Sequence, residues 1–590
     1  MLDEWGIADG YFDIDGEWHA TTDATRAVLR AAMGDPQPAG PQWFVPAGEP
    51  HELHGPCRLV LEGGADCGVI DSLPADLPLG YHELSPANGG PATWLVVHPR
   101  ACPPAPYGWG VAAQVYSLWR RDGWGIGDFA DVAQLGASVK ANGGVAVLLS
   151  PLHAPAPTSP QEDSPYYPSS RRWLNPLLIP LDGPPPPSVD NTPGANIDRN
   201  AVWEAKREAL ALRFERERHH PQWRSWASAQ GDDLVVFCTF NVLAEDHGAE
   251  WRAWPDDVRR PDAPGVVALR HDATFVVRRE FHAWCQWVAA DELRRAADTA
   301  GCALIGDLAV GCSPHGADTW IHQELVAHGV TIGAPPDPFN MDGQNWGLPP
   351  LVPWRLRQAR FAPFISLLRA AFTSMGGVRI DHVMGLFRQF WVPDGRGPAH
   401  GAYVYLHHAE LLALVCLEAH RAGAFVVGED LGTVEPEVRS ALATVDMLGT
   451  KVWLFDQDVD NWPAPNLGTV TTHDLPTVAG ILAGDPGAGE GRNLLLALTE
   501  PVVGDEWPDV TVDVLVAVHA AIARSPARLV LATVDDLAGS LARPNSPGTL
   551  NGQDGVRNWS HRLGAASADV LRRSPGTDVV TALRAVRPPG

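Results

Sequence analysis

GVRIDHVMGL (residues 377–386), VVGEDLGTV (426–434) and NLGTVTTHDLPTVAG (466–480) share one plan: a short, largely apolar run leads into an acid. Brief apolar runs bounded by polar residues mark strands buried on both faces, as in a parallel sheet. Working outward, short apolar runs that give way to polar residues, without the acid being general, recur in VAAQVYSL (111–118), GVAVLLSPL (144–152), CALIGDLAV (302–310), TKVWLFD (450–456) and RLVLATVDD (528–536). These make eight runs in all, mostly separated by helix-length segments. The expected fold is α/β, a (β/α)₈ TIM barrel with inserted subdomains.

Residues 1 to about 105 read as a separate, small β-rich N-terminal domain. A helix is expected from Thr22 to Met33, ended by Gly34 and Pro36, followed by alternating runs such as CRLVLEGG (57–64) and ATWLVVHP (92–99). The proline-rich ACPPAPYGWG (101–110) is the boundary, and 106–590 is the catalytic barrel. Roughly 150 residues separate the second run from the third, too many for one crossover helix, so an inserted subdomain is expected at about 154–302.

Composition narrows the function. The 590 residues are 45% hydrophobic and 19% charged, with no apolar stretch long enough to span a membrane. The start, MLDEWGIADGYFDIDG, is acidic where a secretory signal needs a basic flank, so a cytoplasmic home is expected. A net charge of −26 repels a phosphate backbone, which argues against nucleic acid as a partner. None of the lysines, 140, 206 and 451, sits in a Walker A motif. The eight cysteines never form C-x-x-C, and neither His219/His220 nor His407/His408 has metal-ligand spacing. No metal and no cofactor are expected. GWGIGDF (123–129) reads as a tight turn rather than a dinucleotide loop. The 23 tryptophans suit either core packing or stacking on sugar rings.

In a (β/α)₈ barrel the reacting groups stand at the C-terminal ends of strands, where this chain has Asp381, Glu429 and Asp474. Retaining cleavage of a glycosidic bond needs one carboxylate to attack the anomeric carbon and a second carboxyl to protonate the leaving oxygen. Arg379, two residues before Asp381, shares its strand face and would keep it ionised. His382 and His473 flank the acids and can hydrogen-bond hydroxyls. An acid at a strand end can also merely cap the following helix. Three such acids, with an arginine and two histidines attached, favour catalysis.

At these residues the chain resembles glycoside hydrolase family 77, the amylomaltases or 4-α-glucanotransferases. The similarity runs from about Gln114 to Trp559 and includes QVYSLWRRDGWGIGDFAD (114–131), SPYYPSSRRWLNPLLI (164–179), IGDLAVGCSPHGADTW (305–320), APPDPFNMDGQNWG (334–347) and NSPGT (545–549). The resemblance implies Asp381 as nucleophile, Glu429 as acid/base, and Asp474 as the residue that holds the reacting sugar and stabilises the transition state. It puts Arg379, His473, Asp307 and Tyr166 around that sugar; His382 and Ser164 are further substrate-binding candidates. Asp337, Gln344 and Trp346 would lie on a loop over the acceptor side, with Asn545 nearby. Two departures stand out: GLPPL (347–351) replaces the family's GNPLY, and Thr533 and Asp535 replace a Gln and a Glu in the last strand.

The implied activity is transfer of an α-1,4-glucan segment from a malto-oligosaccharide donor to the 4-hydroxyl of glucose or another glucan, by a monomer or homodimer. The alternatives are an α-amylase-like hydrolase and a non-catalytic glucan-binding protein on the same fold.

Overall fold

The computed structural model describes residues 1–13, 16–336, 341–432, 434–498, 507–549, 551–552 and 555–588. Among them, the eight runs supply eight parallel strands: β1 (Gly108–Ala113), β2 (Ala146–Leu149), β3 (Ala303–Leu308), β4 (Gly377–Ile380), β5 (Phe425–Gly428), β6 (Gly449–Val452), β7 (Asn466–Thr469) and β8 (Leu529–Thr533). Their order in the sheet is β5-β4-β3-β2-β1-β8-β7-β6, so each strand lies beside its sequence neighbours, and β1 beside β8. The ring closes where Val427 of β5 bridges Leu448 in parallel, just before β6, with the Gly428 N–H donating to the Leu448 carbonyl at 2.7 Å. The expected (β/α)₈ barrel is the fold. Val111, Val147, Ile305, Val426 and Leu531 are fully buried, as strands covered on both faces require. Gly110 in β1 is needed for close approach, since a Cβ there would stand 2.2 Å from the Ala146 carbonyl oxygen.

The chain divides into two compact units. The larger comprises residues 105–321, 374–379 and 449–590 and contains most of the barrel strands. Between β2 and β3 it carries a small hairpin, His153–Ala154 with Ser170–Leu174, and the helices Arg199–Glu217, Pro221–His247 and Ala273–Ala300. Asp128 begins the helix Phe129–Ala141 with a capping box, and the same buried carboxylate pairs with Arg120 at 2.5 Å. Asp131 shares the Nη1 nitrogen of that guanidinium at 2.8 Å, so the turn 123–129 is locked by a buried ion triad. The turn needs the positive φ of +76° that Gly125 supplies.

The smaller unit comprises residues 1–104, 322–373 and 380–448. Its five-stranded sheet runs Gln42–Pro46, Thr93–His98, Gly80–Pro86, His51–Val60, Asp66–Leu73, around a core of Val45, Leu59, Leu73, Leu84, Leu95 and Val97. The helix Asp23–Met33 starts on a Thr22 cap and stops at Gly34. Its apolar face lies elsewhere: Leu29 and Met33, with Ile7, pack against Val330, Val352, Trp391, Ala402 and Val404. Several of those partners belong to a four-stranded sheet ordered Gln344–Leu348, Val330–Ala334, Arg388–Pro393, Ala402–Tyr405. Among the described residues no helix is long and apolar enough to cross a membrane.

Leu29 is fully buried in that shared core. Leu29→Ala leaves a cavity and is expected to destabilise the unit by about 2–5 kcal/mol. A lowered urea midpoint of its unfolding reads this out, and an unchanged midpoint would show that the helix adds nothing to the core.

Candidate active site

In the smaller unit, β4 ends at Ile380 and the chain turns sharply through Asp381 and His382. His382 adopts a left-handed conformation, φ 46°, unusual for a residue with a Cβ. The turn aims the His382 N–H at Glu429, donating to Oε2 at 2.9 Å, while the Leu431 N–H donates to Oε1, also at 2.9 Å. The backbone of Glu429 is stitched to the same turn, its N–H donating to Ile380 and its carbonyl accepting from Val383, both at 3.0 Å. The Glu429 carboxyl is therefore held in a fixed plane one residue from Asp381. Burial, aided by the charge of Arg388, pushes the His382 imidazole down to about 4, so it is neutral at pH 7 and offers one donor and one acceptor. The Trp346 ring meets His382 edge-on at 5.0 Å, and its indole N–H donates to Gln344 at 3.1 Å. Gln344 and Trp346 lie on the strand Gln344–Leu348, paired with Val330–Ala334. Leu348, which replaces an amide of the family pattern, is buried there opposite Ile332. Asp337 lies outside the described residues.

In the larger unit, the buried Asp307 near the end of β3 accepts from the Tyr166 hydroxyl and pairs with Arg379, each at 2.7 Å. Tyr166 stacks on His473, centroids 4.7 Å apart. Its N–H donates to the Ser164 hydroxyl at 3.2 Å, which shapes the turn that carries the ring. Asp474 accepts from the Asn545 side-chain amide at 2.6 Å, and the Asn545 N–H donates to the His473 carbonyl at 3.0 Å. The Asp474 side chain is 46% exposed, leaving it open to a ligand.

The structure thus groups Asp381, His382, Glu429, Gln344 and Trp346 in one unit, and Asp307, Arg379, Ser164, Tyr166, His473, Asp474 and Asn545 in the other. Only Ile380 separates Arg379 from Asp381 along the chain. Two residues escaped the sequence reading. Trp559 packs its ring against both Tyr166 and His473, at 5.3 and 5.4 Å. Arg543 donates to the backbone carbonyls of Asp474 and Asn545, at 2.5 and 2.7 Å. Neither carries a spacing signal, because both act through folded loops far from the strand-end acids in sequence.

This arrangement of strand-end acids coincides with a family assignment. The family model described as 4-alpha-glucanotransferase matches residues 113–567. The chain belongs to the 4-α-glucanotransferases, glycoside hydrolase family 77. The 4-alpha-glucanotransferase of Mycobacterium tuberculosis is 39% identical over 562 residues, covering 82% of this chain and 76% of the relative. That of Haemophilus influenzae is 35% identical over 463 residues, covering 69% of this chain and 66% of the relative. The crystal structure of amylomaltase from Corynebacterium glutamicum superposes with a TM-score of 0.82 at 27% identity, covering 98% of each chain. The chain is accordingly a 4-α-glucanotransferase, and the α-amylase-like hydrolase is not favoured.

Tyr166→Phe deletes a donor to a buried carboxylate, an interaction of about 1.5–3 kcal/mol. The expected result is a fall of about 10- to 100-fold in kcat/KM for glucan transfer, and an unchanged value would show that the hydroxyl is idle. A second test concerns Asp535, buried just beyond β8. Burial first, and then the charge of Asp536, push its carboxyl up to about 7. Between about 4 and 7 the folded state keeps a proton that the unfolded chain has lost, so this group's contribution to stability falls as pH rises. Asp535→Asn removes that slope. Its melting temperature should gain on the wild type from pH 4 to pH 7, and parallel curves would contradict the buried-acid reading.

Proposed function

We propose that this transferase works by double displacement on malto-oligosaccharides, with Asp381 as nucleophile, Glu429 as acid/base and Asp474 as the residue that binds the reacting sugar. One observation carries the reading: the N–H of His382, the residue next to Asp381, donates to Glu429. That bond supports the close spacing of two carboxyls that a retaining mechanism needs, about 5 to 5.5 Å. Glu429 protonates the leaving oxygen while Asp381 attacks the anomeric carbon, giving a glucosyl ester and a released sugar. Glu429 then takes the proton of the incoming 4-hydroxyl as the ester is displaced. Asp307, held by Tyr166 and Arg379, and His473 bind hydroxyls of the same sugar. Asp337, Gln344, Trp346 and Asn545 serve the acceptor, which is glucose or another glucan. The eight free cysteines suit a reducing, cytoplasmic setting.

Transfer requires the ester to wait for a sugar in about 55 M water. With acceptor at millimolar levels, productive orientation must outweigh a concentration ratio on the order of 10⁴, about 5.5 kcal/mol. Trp346, set edge-on to His382, supports an acceptor seat beside the reacting acids. Maltotriose should give free glucose and a ladder of longer oligomers with little net gain in reducing ends, whereas a steady gain without longer products would mean hydrolysis. Asp381→Asn should abolish turnover and leave the fold intact. Glu429→Gln should block natural donors yet still react with α-glucosyl fluoride, whose leaving group needs no proton. Equal loss on both donors would refute the acid role.

A further inference from the structure

Asp536 is a fully buried acid that the reaction described above does not use. Its surroundings all belong to the larger unit. Oδ1 accepts from the Val478 N–H at 2.7 Å, while Oδ2 accepts from the hydroxyls of Thr533 at 2.9 Å and Thr471 at 3.3 Å. The Asp536 N–H in turn donates to the Thr533 hydroxyl at 3.2 Å. Burial pushes its carboxyl above the usual range, opposed by the neighbouring His519 and by these hydrogen bonds. Such a group persists in a packed interior only where its partners are fully arranged around it.

The partners say what is being held. Thr471 lies three residues before Asp474 and Val478 four residues after it, so one carboxylate grips the loop on both sides of the acid. Thr471 is further tied to β7, its carbonyl accepting from the Thr469 hydroxyl at 2.9 Å. On the downstream side, the Thr477 hydroxyl donates to the Ser540 carbonyl at 2.6 Å. The loop is also held from the segment after β8, by Arg543 on the Asp474 carbonyl and Asn545 on its carboxylate. We infer that Asp536 is a positioning residue for Asp474, setting the height and direction of that carboxylate from beneath. The inference rests on the role given to Asp474 above. Capping the short helix Val478–Ala483 accounts for only part of the pattern: the Thr477 side chain takes the Gly480 N–H and Asp536 the Val478 N–H, whereas the hydroxyls of Thr471 and Thr533, which also hold Asp536, lie outside that helix.

Two variants test it. Asp536→Asn alters the charge and the acceptors, and Thr471→Val removes a single hydroxyl at nearly constant volume. Both should lower kcat on maltotriose, Asp536→Asn by about 100-fold if Asp474 shifts by the order of 1 Å, with KM and melting temperature near wild type. The loss should be equal on α-glucosyl fluoride, since Asp474 acts on the sugar ring rather than on the leaving group. Thr471→Ser, which keeps the hydroxyl, should recover most of the rate. In an Asp474→Asn background, Asp536→Asn should cost nothing further. If Asp536→Asn cannot be obtained folded, the Thr471 pair and the Thr471→Val/Asp474→Asn double variant carry the same logic. Wild-type kcat in Thr471→Val and Asp536→Asn, or a loss that multiplies fully with that of Asp474→Asn, overturns the inference. Full activity of Asp474→Asn alone would overturn the role of Asp474, and the inference with it.

Discussion

The closure of eight parallel strands, completed by the pairing of Val427 with Leu448, is the constraint on which the rest depends. A parallel ring has one polarity, so every strand delivers its last residue to the same end of the barrel. Within the smaller unit it sets the turn after β4 beside the end of β5, where the His382 N–H reaches Glu429, 47 residues away in the chain. It also explains the composition of the strands, which are buried on both faces and so run largely apolar, with polar residues gathering where they end.

Around that ring, polar groups are held by backbone as much as by side chains. Glu429 is oriented by two peptide N–H groups, Arg543 reads the carbonyls of Asp474 and Asn545, and Asp536 takes the N–H of Val478. Backbone donors and acceptors do not rotate away, so a carboxyl fixed by them needs little reorganisation when charge develops beside it. The left-handed His382 belongs to the same logic. An uncommon backbone conformation is tolerated because it aims an N–H at Glu429.

Much of this was legible in the sequence for a simple reason. Strand burial and strand-end chemistry are local properties, so the eight runs and the acids Asp381, Glu429 and Asp474 could be read from short windows. The helix Asp23–Met33 was equally plain from its Thr22 cap and Gly34 stop. Its partners were not. An amphipathic pattern shows that a face is buried without saying against what, and Leu29 meets Val330 and Trp391 rather than the five-stranded sheet that follows it in sequence.

By itself, then, the sequence determined the class of fold, the order of the strands and the residue types offered to the reaction, because periodicity and composition encode which groups are buried and which end each strand. The tertiary structure decided which groups touch: Tyr166 on Asp307, Trp559 on His473, the His382 N–H on Glu429, and Asp536 on Thr471 and Val478. Such pairings join positions between 47 and 141 residues apart through loops of irregular conformation. They are selected by the packing of the whole interior, and no local pattern along the chain carries them.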